Sequence, residues 1–236
     1  MNLILLEDID FTSDSRVLLS GRRARHIFEI HRAKPDDFLR IGIVGGRLGT
    51  GRCLRIDETS CELEVAIETD PPPPLALTLY LALPRPKFLK RVLQTVSSLG
   101  VKDLHLVNSY RVEKVYWSCE QLEAHEIREA LLLGLEQARD TILPRVHQHR
   151  LFKPFVEDEL PALIRGHRAL VAHPTAKATC PREISTAHTS LAVGPEGGFI
   201  DYEVEKLSAA GFTPVEIGPR ILKVETAVTA LIARLT

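Results

Sequence analysis

The chain contains no run of about 18 consecutive apolar residues, so no part of it reads as a membrane-spanning helix. Cysteine is scarce. Cys53, Cys61, Cys119 and Cys180 lie far apart without a CxxC pair, which excludes a zinc knuckle. In a chain of 236 residues that spacing also argues against a disulfide framework, so the thiols read as reduced and the protein as cytoplasmic. The start, MNLILLEDID, lacks a basic segment and a cleavage site, and no signal peptide is expected. Nor is there an excess of one charge. Thirty Lys and Arg face 31 Asp and Glu, a net charge of -1, so no global cationic field announces nucleic acid. GxGxxG and the P-loop are missing, which argues against NAD or ATP, and without GxSxG nucleophilic hydrolysis has no local support. His147 and His149 share one short polar stretch and His26 and His31 are five apart, so no metal site is expected.

What is present is an ordinary globular composition, 44% hydrophobic and 26% charged, long enough to bury a sizeable core in one large domain or an unequal pair. Pro71 to Pro74 cannot donate backbone hydrogen bonds and favour a stiff spacer, which puts the domain boundary there. Residues 1–70 show short apolar alternations (38–44, 51–56, 61–67) between glycine turns, the pattern of a small β-barrel or sandwich, interrupted by one helix over 21–31. Residues 75–236 change to strands alternating with helices. Strands are expected at 75–83, 103–107, 168–172, 191–193 and 214–217, with helices around Phe88 to Leu99, over 120–138 and 201–210, and from Glu225 onward. The fold class is therefore α/β with a parallel sheet, preceded by a small β-domain.

Three loops leave the C-terminal ends of expected strands, where open α/β sheets bind ligands: AHPTAK (172–177), GPEGGF (194–199) and GPRILKVETA (218–227). GPEGGF lets backbone groups approach a ligand closely, or is a plain strand-to-helix turn. GPRILKVETA sets Arg220, Lys223 and Glu225 beside a helix start, where they clamp an anion or are a first-turn acid and two solvated bases. Residues 16–55 carry ten basic residues against three acidic ones, an RNA grip or a solvated face. The candidates for RNA contact there are Arg16, Arg22, Arg23, Arg25, His26, Arg32 and Lys34.

Taken in order, VGPEGGFIDYEVEKLSAAGFTPVEIGPRILKVETAVTALIARL resembles the C-terminal signature of the RsmE family, the 16S ribosomal RNA (uracil-N3)-methyltransferases of the SPOUT superfamily. The likeness continues upstream in RHIFEIHRAKPDD (25–37), SLGV (98–101), SYR (109–111) and LEQAR (135–139). It implies a trefoil-knotted parallel sheet with helices on both faces, preceded by a PUA-like barrel. It further implies S-adenosylmethionine held on the knot loops by His173 and Pro174, by Gly194, Pro195, Glu196, Gly197 and Gly198, and by Ile217, Gly218, Pro219, Ile221 and Leu222. The resemblance also implies a homodimer in which Arg111, a further RNA contact, and Gln137 serve the partner's site. Arg220 and Lys223 would stabilise a uracilate, and Glu225 would orient one of them or help move the proton. Where the family usually reads Arg-Ile-Leu-Arg-Thr-Glu-Thr, this chain has Lys223 and Val224. Ser98, Thr95 and the pair Arg139-Asp140 depart from its Glu, Lys and Gly-Arg. Three alternatives compete: a SPOUT enzyme for another RNA nucleoside, a non-catalytic RNA-binding assembly factor without affinity for S-adenosylmethionine, and a metabolic α/β enzyme for a small molecule, which would leave the basic patch unused.

Overall fold

The computed structural model describes residues 2–182 and 187–236. Its contacts divide the chain into two units, Met1–Pro73 with Leu132–Leu143, and Pro74–Leu131 with Pro144–Thr236. The seam at Pro73 and Pro74 coincides with the stiff proline run. The second crossing, over 132–143, carries no turn or composition signal and was not expected from the sequence.

In the first unit the strands are β1 (Ile4–Leu6), β2 (Phe11–Ser13), β3 (Arg16–Ser20), β4 (Phe38–Ile43), β5 (Leu48–Ile56) and β6 (Ser60–Thr69). They form one sheet in the order β1-β4-β5-β6-β3-β2, with β1 parallel to β4 and the other pairs antiparallel. Strand β3 shows why: Val17 and Leu19 are buried while Arg16, Leu18 and Ser20 are exposed, the period-two alternation of a one-sided sheet. The core gathers Leu6, Val17, Leu19, Ile27, Ile41, Cys53, Cys61 and Leu63. All four cysteines are free, and burial pushes the Cys61 thiol up to about 12, so it stays protonated and inert. The helix expected over 21–31 splits into α1 (Gly21–His26) and a π-helical turn over Ile27–His31, ended by Arg32 at φ 51°.

The second unit contains β7 (Leu77–Ala82), α2 (Pro86–Ser98) and β8 (Asp103–Val107), followed by α3 (Ala124–Ala138), whose last turns count with the first unit. Next come β9 (Arg145–His149), a helical run of α4 (Phe152–Pro154), a π turn (Phe155–Glu159) and α5 (Leu160–Leu163), then β10 (Arg168–Ala172). The chain closes with β11 (Ala178–Thr179), β12 (Thr189–Val193), α6 (Asp201–Ala209), β13 (Thr213–Glu216) and α7 (Val224–Leu235). Every pair in the sheet β11-β13-β10-β12-β7-β8-β9 is parallel. Strand β7 is buried along its whole length, as expected where helices cover both faces, and it reads as a continuous apolar run. Strand β9, RVHQH, was not expected. It is a polar, largely exposed edge strand, so it shows no apolar alternation.

One row across this sheet is aromatic. Tyr80 of β7, His105 of β8 and His147 of β9 are register partners, with ring centroids 4.7 and 4.5 Å apart. Phe155 and Phe212 pack onto Tyr80. Burial raises the Tyr80 phenol to about 12 and lowers the His105 imidazole to about 4, so both stay neutral near pH 7. Among the described residues no helix is long and apolar enough to cross a membrane.

Candidate active site

Strands β13, β10 and β12 are neighbours, so the loops that follow them emerge side by side at the C-terminal end of the sheet. They enclose a cleft of about 580 Å³, within the usual range for a small-molecule site. Its lining takes Ala172 to Thr175 from the first loop, Val193 to Asp201 from the second, and Val215 to Gly218 with Arg220 to Leu222 from the third. Val224, Ala227 and Leu231 of α7 add an apolar wall.

Backbone geometry shapes this cleft more than side-chain chemistry does. Gly198 N donates to Pro195 O at 2.7 Å, with Gly198 at φ +73°, which folds 195–198 into a tight turn. A Cβ on Gly194 would stand 2.7 Å from Phe199 N and 3.1 Å from Gly198 Cα, against backbone that cannot move aside. His173 ties the loops together: its N–H donates to Val215 O at 2.9 Å, and its Nε2 lies 3.4 Å from Phe199 O. In the third loop Gly218 N donates to the Glu216 carboxylate, which also accepts from Thr179 Oγ1 at 2.9 Å.

Two further loops of the same end reach in. Arg85 N, after β7, donates to Glu196 Oε1 at 3.1 Å, and Arg111, after β8, donates through Nη1 to Gly197 O. Arg111 is aimed by a residue that the sequence reading missed. The buried carboxylate of Glu203 accepts from Tyr110 N (2.7 Å), Ser109 Oγ (3.2 Å) and Ile200 N (3.0 Å), fastening SYR to the start of α6. The available signal was an acid at the third position of a helix start, which normally caps only its own helix.

Of the residues expected to hold a cofactor, His173, Pro174, Gly194 to Gly198, Ile217, Gly218, Ile221 and Leu222 all line the cleft, and Pro219 does not. Arg220 lines it as well, whereas Lys223 and Glu225 sit beside it at the start of α7, Lys223 exposed and Glu225 half-buried. The cations expected to contact RNA fall into two groups. Arg23, with 20% of its side chain exposed, is bidentate to buried Asp10 (2.6 and 2.6 Å) and also donates to Leu5 O. Arg22 is bidentate to Glu136 of LEQAR, whose side chain is 3% exposed, and Arg16 pairs with Glu62 at 3.6 Å. By contrast Arg25, Arg32 and Lys34 are exposed and make no ion pair among the described residues, while His26 is half-buried against His31. Gln137 is exposed, and its carbonyl accepts from Asn2.

Distant segments also converge where sequence spacing suggested nothing. Asp103, His105 and His147 bring a carboxylate oxygen and two imidazole nitrogens within 4.8 Å of one another.

Comparison with known proteins agrees with the architecture. Residues 71–236 match the RNA methyltransferase domain family. The chain is 30% identical to the ribosomal RNA small subunit methyltransferase E of Treponema pallidum, over 99% of this chain and 90% of that one. It is 23% identical to ribosomal RNA small subunit methyltransferase E 1 of Borreliella burgdorferi, over 98% of this chain and 95% of that one. In structure it resembles the ribosomal RNA small subunit methyltransferase E of Neisseria gonorrhoeae, solved with S-adenosyl methionine, with a TM-score of 0.78 at 23% identity. That likeness spans 99% of this chain and 95% of the other. The matched domain and the near-complete span of these relatives make this chain a member of the RNA methyltransferase family, within its RsmE group.

Proposed function

We propose that the chain transfers a methyl group from S-adenosylmethionine to N3 of a uridine in the 16S RNA of the small ribosomal subunit. The observation that carries this reading is the cleft. Two of its three loops, the second and the third, lie in the segment that bears the RsmE signature, and the backbone edges and apolar wall of the cleft suit an adenosyl group. The curated relatives named above are ribosomal RNA small subunit methyltransferases, and the Neisseria structure carries the methyl donor.

S-adenosylmethionine supplies an electrophilic methyl on sulfur. The chain's own residues hold it and prepare the acceptor. Gly194 to Gly198 and Ile217 to Leu222 present backbone donors and acceptors, and His173 keeps the first two loops in register. Uracil N3 carries a proton at neutral pH, so a group must remove it while cationic side chains stabilise the anion left behind. Arg220 on the lining and Lys223 beside it are those cations, and Glu225 orients one of them or takes part in moving the proton. With the donor bound, the N3–C bond would form as the S–C bond breaks, the bonding pair staying on sulfur. Lys223 replaces the second Arg of the family pattern, so this position acts as a point charge instead of a bidentate fork.

The same reading includes a trefoil knot at the C-terminus. It is supported by Arg234 Nε of α7 donating to Cys180 O (2.6 Å), in the segment that leaves β10. It includes a PUA-like RNA-binding domain in the first unit, supported by the exposed Arg25, Arg32 and Lys34. A homodimer in the cytoplasm completes it, on family likeness alone. The test is transfer of labelled methyl to small subunits from cells lacking the family enzyme, followed by nucleoside digestion. 3-Methyluridine is the expected product. Label on a ribose hydroxyl, or no transfer despite cofactor binding, would overturn the assignment.

A further inference from the structure

On the β8–β9 edge of the seven-stranded sheet, side chains crowd one face. Residues two apart on a strand share a face, so Asp103 and His105 of β8 stand together, as do His147 and His149 of β9. Register then sets His105 beside His147. His105 is 3% exposed, and its Nδ1 lies 2.9 Å from His149 Nε2. Its other nitrogen, Nε2, is buried without a hydrogen-bond partner and points at Asp103 Oδ2, 3.7 Å away. The other oxygen of Asp103 is 3.0 Å from His147 Nε2.

Neither tautomer of His105 removes the problem, since 3.7 Å is too long for an N–H···O bond and a lone pair there would face a carboxylate. A cation between the two groups resolves it. Donor atoms around a tetrahedral ion with nitrogen and oxygen ligands stand about 3.4 Å apart. The two imidazoles stand 3.0 and 3.7 Å from different oxygens of Asp103, and one donor atom from each residue falls within 4.8 Å of the others, a set that small side-chain turns bring to that spacing.

We propose that Asp103, His105 and His147 bind one divalent transition-metal ion of the zinc type, with water completing the coordination, and so fasten edge strand β9 to β8. Two imidazoles and one carboxylate, without thiolate, select zinc, cobalt or nickel over magnesium or calcium. The surroundings provide the outer support such ligands use. His149 accepts from His105 Nδ1–H, and its own Nδ1 lies 3.5 Å from Glu159 Oε2, so a Glu–His pair orients the buried ligand. His105 is further fixed by stacking on Tyr80. The exposed His147 ring lies 17° from parallel to His105, so it turns on binding while the buried ring stays. None of the three ligands lines the cleft, so the ion is structural, and the proposal stands apart from the methyl-transfer reading.

The test uses the full chain, stripped with chelator and titrated with Co²⁺ and then Zn²⁺. The expected result is one equivalent bound, with the visible ligand-field bands of a four-coordinate nitrogen and oxygen site, and a melting temperature raised by Zn²⁺. Asp103→Asn and His147→Gln, both at partly exposed positions, should each weaken Co²⁺ binding at least tenfold. Glu159→Gln should weaken it by about tenfold, as loss of an outer partner does. His31→Gln, in the first unit, should change nothing. Failure to bind either ion would overturn the proposal, as would binding that persists in the Asp103→Asn/His147→Gln double variant.

Discussion

The loop end of the seven-stranded sheet and its β8–β9 edge are built on different principles. At the C-terminal end, loops contiguous in sequence present backbone edges: a glycine-rich turn at 194–198 and a second loop at 217–222. Along the β8–β9 edge, side chains 44 residues apart in the chain meet through strand pairing alone, as His105 and His149 do. A site made of contiguous backbone leaves a motif in the sequence. A site made of register leaves only scattered histidines, which is why the first was legible as text and the second was not.

The hardest blow to this contrast is to delete side-chain chemistry from the backbone-built end. Lys223→Ala should lower the rate of methyl transfer at saturating RNA by about 100- to 1,000-fold, the size of effect seen on removing one group that stabilises a developing anion. Affinity for S-adenosylmethionine should stay within about threefold, because Lys223 is outside the cleft lining. Single-turnover transfer and calorimetry separate the two quantities. In the wild type the rate should climb with pH as the N3 proton becomes easier to remove. A large change in cofactor affinity with normal transfer would show Lys223 to be a binding residue and refute the role assigned to it.

The next effect tests the backbone itself. A Cβ at Gly194 meets backbone at 2.7 Å, whereas a Cβ at Gly197 meets the flexible Arg111 Cδ at the same distance. Overpacking against rigid atoms costs about 1–3 kcal/mol, which for Gly194→Ala translates to about 5- to 150-fold in cofactor affinity. Gly197→Ala should cost less, because Arg111 can swing away, and should act on RNA affinity if Arg111 contacts substrate. Equal losses at both positions would mean that the second loop tolerates movement and that its backbone does not set the site.

How much was readable follows from the same contrast. The parallel sheet, the long helices and the three loops that line the cleft rest on apolar periodicity and glycine placement, and each appears within a few residues of its expected position. Strand β9 and the run from Phe152 to Leu163 did not announce themselves. The first is a polar edge, and the second mixes a π turn into a short helix whose buried residues Phe155, Val156 and Leu160 break the usual spacing. Glu203 looked like an ordinary cap because its partners Ser109 and Tyr110 lie more than 90 residues away. The basic stretch over 16–55 read as one patch, although Arg23 is committed to Asp10 and Arg22 to Glu136.

That last division yields a smaller prediction. Arg25→Glu and Arg32→Glu should weaken RNA binding by about 3- to 10-fold each and make the salt dependence shallower, with no change in melting temperature. Arg23→Glu is no test of RNA binding, since it would set a second carboxylate against buried Asp10 and destabilise the first unit. Filter binding across a salt series, read beside thermal melts, distinguishes the two behaviours. Unchanged affinity in the Arg25 and Arg32 variants would remove this face from the RNA interface.

The smallest effect concerns a backbone demand that the sequence disguises. Arg139 follows α3 at φ 59°, and Asp140 N reaches back to Leu135 O at 3.1 Å, the bond pattern of a helix ended by a left-handed residue. The family pattern has Gly there, which takes this conformation without strain, while an L side chain carries a penalty. Gly also widens the unfolded ensemble, so the two effects partly cancel, and Arg139→Gly should stabilise the first unit by only about 0.5 kcal/mol. A urea midpoint at constant slope measures it. A loss of stability would mean that the Arg139 side chain makes a contribution larger than the strain it carries. In that case the departure from Gly would be an interaction and not a tolerated cost, and side-chain chemistry would govern this helix end as it does the histidine-rich edge of the sheet.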